Sequence, residues 1–100
     1  MHIQIVNFKL DQVTRVDYDA LLEEAAPAFP EIPGLASKYY LADDEANVYG
    51  GVYVWEHKQA MLDYQAGGIY QGILEHPNLA EVTSTDFDVI EGHSFVTAPP

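Results

Sequence analysis

The chain has no cysteine, only four basic residues and no apolar run that approaches the length of a membrane-spanning helix. Without cysteine it forms no disulfide bond and has no thiolate nucleophile. Sixteen acidic residues give a net charge of −12, whereas nucleic acids and anionic membranes bind basic surfaces. We therefore expect no nucleic-acid partner, no membrane partner and a cytoplasmic location.

Motifs for metals and nucleotides are also missing. No two histidines have the i, i+4 spacing of a helical zinc site, and Asp43, Asp44 and Glu45 lack the spacing of a calcium loop. The pairs Gly50-Gly51 and Gly67-Gly68 lack the further glycine and the lysine of a phosphate-binding loop. We therefore expect no metal site and no cofactor.

The pattern of apolar residues predicts six main elements. They are a strand over 2–8, a helix capped by Thr14 and Asp17, strands over 35–42 and about 48–55, a second helical region in two short pieces broken at 67–68, and a strand over 82–90. The order β-α-β-β-α-β indicates an α+β, ferredoxin-like fold, in which one antiparallel sheet carries its helices on one face. A length of 100 residues predicts one domain, with its core over about 2–91 and an irregular tail over 92–100.

The third strand, residues 48–55, has two different faces. Its aromatic side chains alternate with valines, so that they lie on opposite sides of the sheet. We expect the valines to face the helices, and Tyr49, Tyr53 and Trp55 to lie on the bare face together with Lys38 and Tyr40. An aromatic face of that size is unstable in water. Its burial against a two-fold copy predicts a homodimer.

Three segments resemble the YdhR-like monooxygenases of the dimeric α/β-barrel superfamily. They are Gly-Leu-Ala-Ser-Lys-Tyr-Tyr-Leu at 34–41, Tyr-Gly-Gly-Val-Tyr-Val-Trp at 49–55 and Asp-Phe-Asp-Val at 86–89. The resemblance runs from the first strand to about Glu91. It implies two ferredoxin-like protomers packed sheet to sheet, with a pocket between sheet and helices or within the barrel. It also implies oxygenation of small cyclic or aromatic compounds without a cofactor.

Oxygenation without a cofactor requires an apolar pocket that excludes water and a base or anion stabiliser. We predict Lys38 and His57 as catalytic candidates. The predicted substrate contacts are Tyr40, Tyr49, Gly51, Tyr53, Trp55 and Tyr64, with Gly51 leaving room for the ligand. Each candidate has a structural alternative: a lysine that protects a sheet edge, a histidine exposed at the end of an element, and tyrosines that pack in the core.

Two classes of function remain open. The first is a cofactor-independent monooxygenase that acts on a small hydrophobic, aromatic or polyketide-like substrate. The second is a non-catalytic dimeric domain that binds a small molecule or responds to stress. The residues show no obvious acid–base constellation, which favours binding, whereas the family resemblance favours an enzyme.

Overall fold

The computed structural model describes residues 1–97. The elements are β1 (His2–Leu10), α1 (Arg15–Ala25), a 3₁₀ helix (Ala26–Glu31), β2 (Leu35–Asp43), β3 (Val48–Trp55), α2 (Lys58–Ala66), α3 (Gly68–Glu75) and β4 (Leu79–Asp88). The four strands form one antiparallel sheet in the order β2-β3-β1-β4. This is the predicted α+β, ferredoxin-like arrangement.

Local sequence signals explain where the helices begin and break. Thr14 and Asp17 form a capping box, in which each side chain accepts a hydrogen bond from the other residue's backbone N–H. Pro27 lacks a backbone N–H, and the chain tightens there into the 3₁₀ helix. Gly67 separates α2 from α3, as the sequence predicts.

The last strand begins at Leu79, three residues before its predicted start. Glu81 has φ of 53°, and the register between β1 and β4 shifts at the same level. Such an irregularity disrupts the alternation of side chains from which a strand is recognised in a sequence. The strand therefore extends through a bulge that the pattern did not reveal.

The sequence analysis predicts that the aromatic residues of β3 lie on the bare face of the sheet, and this prediction was wrong. Tyr49, Tyr53 and Trp55 are at most 3% exposed and belong to the hydrophobic core between the sheet and the helices. Alternation assigns side chains to two faces but does not say which face receives the helices. Large aromatic rings fill the space between layers better than valine, and they pack there against Tyr18 and Tyr64.

The open face of the sheet is therefore aliphatic, with two aromatic side chains. Ile3, Val54 and Phe87 are paired across β1, β3 and β4, and Ile5, Val52 and Tyr39 are paired across β1, β3 and β2. Tyr39 and Phe87 are 63% and 61% exposed. This apolar surface is called the open face below.

Residues 91–97 follow β4 without a further helix or strand. The rest of the predicted tail, residues 98–100, lies outside the described residues. No helix within residues 1–97 has both the length and the apolar character needed to span a membrane.

Candidate functional site

A cavity of about 360 Å³ lies between the sheet and the helices. Its walls are mostly apolar and come from α1, the 3₁₀ helix, α3 and the sheet; they include Leu21, Leu22, Phe29, Ile69, Ile73 and Phe8. The polar side chains that reach the cavity are those of Tyr18, Lys38, Tyr40, Tyr53 and His76. An apolar space with a few convergent polar groups is typical of a small-molecule site.

Lys38 enters the cavity because its strand register directs it toward the helices. It pairs with Tyr53 of β3, and Tyr53 pairs with the buried Gln4 of β1, so that all three lie on the helix side. Its Nζ lies 3.1 Å from the centroid of the Phe29 ring, 4.2 Å from that of Tyr40 and 4.7 Å from that of Tyr53. The ion pairs found within residues 1–97 do not include Lys38.

Two opposing effects set the charge of the Lys38 amine. Burial among apolar groups disfavours the ammonium and lowers the pKa of Lys38 to about 7. The faces of Phe29, Tyr40 and Tyr53 attract the ammonium through their ring quadrupoles, which favours the charged form. Both forms of the amine are therefore accessible near neutral pH, unlike those of an exposed lysine.

The tyrosine hydroxyls of the site stay protonated. Burial raises the pKa of Tyr18 to about 12, and it also raises the pKa of Tyr53 and Tyr40. The hydroxyl oxygens of Tyr53 and Tyr64 lie 3.1 Å apart and share a hydrogen bond. A neutral phenol is a hydrogen-bond donor, so these groups suit the oxygen atom of a ligand.

Gly51 faces the helix side, but it does not line the cavity. A Cβ atom at this position would lie 3.1 Å from Cε of Lys38 and 3.2 Å from the carbonyl oxygen of Tyr39. The absent side chain therefore leaves space for the lysine stem and not for a ligand. The sequence analysis predicts that Gly51 leaves room for a ligand, and in the structure the stem of Lys38 lies in that room.

Three of the predicted substrate contacts lie in the core beside the cavity. The indole N–H of Trp55 donates to Oε1 of the buried Gln4, and Trp55 stacks on Tyr53 with an interplanar angle of 2°. The hydroxyl of Tyr49 donates to Asp44. Tyr64 contacts Tyr53 through a hydrogen bond between the two hydroxyls and through its ring, whose centroid lies 5.3 Å from that of Tyr53. These contacts orient the cavity wall, and the wall itself includes Lys38, Tyr40 and Tyr53 from the predicted set.

The structure separates His57 from Lys38. His57 is exposed at the N-cap of α2, where its Nδ1 accepts a hydrogen bond from the N–H of Ala60 at 3.1 Å. It borders a different, smaller depression of about 280 Å³, together with Ile32 and Asp63. Its geometry accounts for a structural role, namely capping a helix.

Sequence reasoning missed Phe29 and gave little weight to His76, although both line the cavity. The signal for the helical residues was present: Leu21, Leu22, Ile69 and Ile73 lie on inward helical stripes. The sequence analysis predicts that these stripes pack against the valines of β3. Because the aromatic face of β3 is directed toward the helices, these helical residues lie on the same side of the sheet as Lys38 and line the cavity.

A family model described as "Putative mono-oxygenase ydhR" matches residues 3–100. Comparison with curated protein sequences gives no match. A "putative antibiotic biosynthesis monooxygenase" from Deinococcus radiodurans has a similar structure, with a TM-score of 0.76, 20% identity, and coverage of 97% of this chain and 100% of that one.

Two further solved structures share the fold. The cofactor-independent oxygenase SnoaB of Streptomyces nogalater, as an Asn-to-Ala mutant, has a TM-score of 0.68 and 16% identity and covers 89% of this chain and 93% of its own. The haem degrader MhuD of Mycobacterium tuberculosis has a TM-score of 0.72 and 17% identity, with 90% and 96% covered. At these identities the likeness concerns the fold.

Proposed function

Because the chain belongs to the ydhR mono-oxygenase family, we propose that it oxygenates a small aromatic or polyketide-like compound without a metal or flavin. The substrate occupies the cavity between sheet and helices. The observation that supports this proposal most directly is the amine of Lys38, largely buried in the wall of an apolar cavity.

The chemistry requires a substrate that can donate electrons to oxygen itself. In an anthrone-like compound a CH₂ group is flanked by aromatic rings conjugated to a carbonyl, so that loss of a proton gives an electron-rich carbanion. The reaction is R₂CH₂ + O₂ → R₂C=O + H₂O. Two C–H bonds break, one oxygen atom enters the product, and the other leaves as water. The electrons come from the substrate.

Three polar groups of the cavity have a role in this reaction. The neutral amine of Lys38 removes the proton, and the resulting ammonium then stabilises the negative charge on the substrate. The hydroxyls of Tyr40 and Tyr53 donate hydrogen bonds to the enolate oxygen, and Tyr53 accepts the hydrogen bond of the Tyr64 hydroxyl. Phe29 and the helical side chains exclude water from the carbanion, which would otherwise be reprotonated.

The test is oxygen uptake with anthrone as the probe, in buffer containing a chelator. Wild-type protein should consume one O₂ for each quinone formed, and Lys38→Met should lower the rate by about 10²–10⁴-fold, the usual contribution of a general base. Lys58→Met removes an exposed lysine and is the matched control. A Lys38→Met variant that retains the wild-type rate would contradict the role of the amine.

The haem-degrading relative suggests a second chemistry, which the residues of this chain do not fit. His76 is the histidine of the cavity, and its Nδ1 accepts a hydrogen bond from the N–H of Asn78 at 3.1 Å. In the neutral ring the proton is therefore on Nε2, which leaves no lone pair there for iron. Metal-binding histidines have the opposite arrangement, because their second nitrogen donates.

Binding without turnover is the alternative function. It is favoured by the absence of an ion-paired carboxylate beside Lys38 among residues 1–97, because many acid–base sites use such a pair. Saturable binding of anthrone, measured by quenching of Trp55 fluorescence in the absence of oxygen uptake, would support this alternative over the oxygenase.

We also propose that the protein is a homodimer, with the open face of one protomer against that of its partner. Tyr39 and Phe87 give this face two exposed aromatic side chains, and the paired Ile3, Val54, Ile5 and Val52 lie between them. Apolar surface of this kind is stabilised when a second copy excludes water from it. The cavity lies on the opposite side of the sheet and stays accessible in such a dimer.

A further inference from the structure

The three lysines of the chain differ sharply in their surroundings. Lys9 is 47% exposed and forms an ion pair with Glu81, and Lys58 is exposed on the first turn of α2. Lys38 alone projects into a cavity, where its Nζ is surrounded by the rings of Phe29, Tyr40 and Tyr53. The chain has sixteen acidic residues, yet no ion pair found within residues 1–97 involves this amine.

We propose that Lys38 is a covalent capture site for carbonyl compounds, in particular aromatic aldehydes and 1,3-diketones, which it binds as imines. This activity needs no oxygen and goes beyond the oxygenase function. The amine nitrogen attacks the carbonyl carbon, a C–N bond forms, and a proton moves from nitrogen to the carbonyl oxygen. The hydroxyl of the resulting carbinolamine leaves as water, and the C=N bond remains. With a 1,3-diketone the imine tautomerises to a conjugated enaminone.

The cavity supplies what each step needs. Attack requires an unprotonated amine, and the apolar surroundings of Lys38 favour that form at neutral pH. The departing hydroxyl must be protonated, and the protonated phenols of Tyr40 and Tyr53 lie on the same wall. Phe29 and the inward face of α3 accept the apolar part of the carbonyl compound. About 360 Å³ is enough for a ligand of small aromatic size.

Gly51 holds the amine in place for this reaction. The lysine stem crosses the glycine, so closely that an added Cβ atom would lie 3.1 Å from Cε. The stem is thus confined between the strand and the ring of Phe29. A confined amine loses less conformational entropy on reaction than a mobile lysine does.

The experiment uses the intact wild-type protein under argon. Benzaldehyde with cyanoborohydride converts each imine to a stable secondary amine, and peptide mapping by mass spectrometry locates it. At pH 7 we expect Lys38 to react at least about tenfold faster than Lys9 and Lys58, since an ordinary lysine is almost fully protonated there. Acetylacetone should give an ultraviolet-absorbing enaminone at Lys38. Labelling that is no faster at Lys38 than at Lys9 and Lys58, or no labelling, would overturn the proposal.

Two further measurements test whether labelling of Lys38 depends on binding in the cavity or only on the reactivity of its amine. Gly72→Leu should fill the cavity and suppress labelling of Lys38 while leaving Lys9 and Lys58 unchanged. The rate at Lys38 should rise with pH to a plateau above about 7. The other titratable groups that reach the cavity are Tyr18, Tyr40, Tyr53 and His76. Lys38 labelling that persists in protein without oxygen uptake would refute the oxygenase alone, and the reverse would refute imine capture alone.

Discussion

The side-chain nitrogen of Lys38 lies 3.1 Å from the centroid of the Phe29 ring, and both residues line the cavity between the sheet and the helices. The two residues come from β2 and from the 3₁₀ helix that follows α1. The contact places the amine of Lys38 against an aromatic ring of the apolar cavity wall. The stability of the protein should therefore respond to the protonation of this one amine.

The first prediction concerns pH. In the unfolded chain Lys38 has its ordinary pKa of 10.5, and in the folded protein burial lowers the pKa to about 7. Between these values the unfolded state binds more protons, so stability rises with pH. The free energy of unfolding of wild type, relative to Lys38→Met, should rise by about 1 kcal/mol per pH unit between pH 8 and 10.

Urea unfolding of both proteins at a series of pH values measures this difference. Groups other than Lys38 are common to both proteins and cancel in the comparison. Well below pH 7 the difference should be constant, because Lys38 is then protonated in both the folded and the unfolded state. A difference that does not vary from pH 7 to 10 would show that the amine is solvated like that of an exposed lysine.

The second prediction concerns Gly72 of α3, which lines the cavity. No atom lies within 4 Å of a Cβ atom added there. Gly72→Leu should therefore leave stability unchanged or raise it by up to about 1 kcal/mol, since leucine is the better helix former. The same change should abolish binding of anthrone. Gln71→Leu is the control on the neighbouring exposed position, and equal loss of binding in both variants would contradict the location of the site.

The third prediction is that Gly51→Val is destabilising, by about 1–3 kcal/mol. The valine side chain meets Cε of Lys38, the carbonyl oxygen of Tyr39 and the ring of Tyr53. Part of the loss should be recovered in the double variant Gly51→Val with Lys38→Ala, because truncating the lysine removes one of these contacts. Thermal unfolding of the single and double variants tests the coupling. Additive losses would show that Lys38 does not occupy the space beside Gly51.

The fourth prediction distinguishes His57 from Lys38. His57→Ala should cost about 1 kcal/mol of stability because the N–H of Ala60 loses its cap. Oxygen uptake per folded molecule should not change, since His57 lies outside the cavity. His57→Asn should restore the cap and the stability. A His57→Ala protein that is folded but has lost oxygen uptake would return His57 to the catalytic set.

The fifth prediction concerns assembly. Sedimentation at micromolar concentration should give about twice the chain mass of 11.1 kDa. Tyr39→Glu combined with Phe87→Glu places two charges on the open face and should yield monomers, because buried unpaired charge is costly. Val16→Glu changes an apolar residue on α1 that is even more exposed, at 76%, and should leave the dimer intact. Wild-type protein that sediments as a monomer would contradict the proposal.

The sequence alone determined the order of the elements, the start of α1 and the break between α2 and α3. The capping box at Thr14 and Asp17, the tightening at Pro27 and the break at Gly67 are local effects, since each depends on backbone groups a few residues away. The grouping of Lys38 with Tyr40 and Tyr53 also follows from the sequence, because side chains alternate strictly along neighbouring strands.

Only the tertiary structure decided that the helices cover the face of the sheet on which these residues lie. Alternation is symmetric, so the same pattern fits an aromatic face turned outward or inward. The choice depends on whether the rings of Tyr53 and Trp55 or the valines better fill the volume beneath α1, α2 and α3, which is a property of all the elements together. That packing also brings Phe29 over Lys38 and leaves His57 outside the cavity.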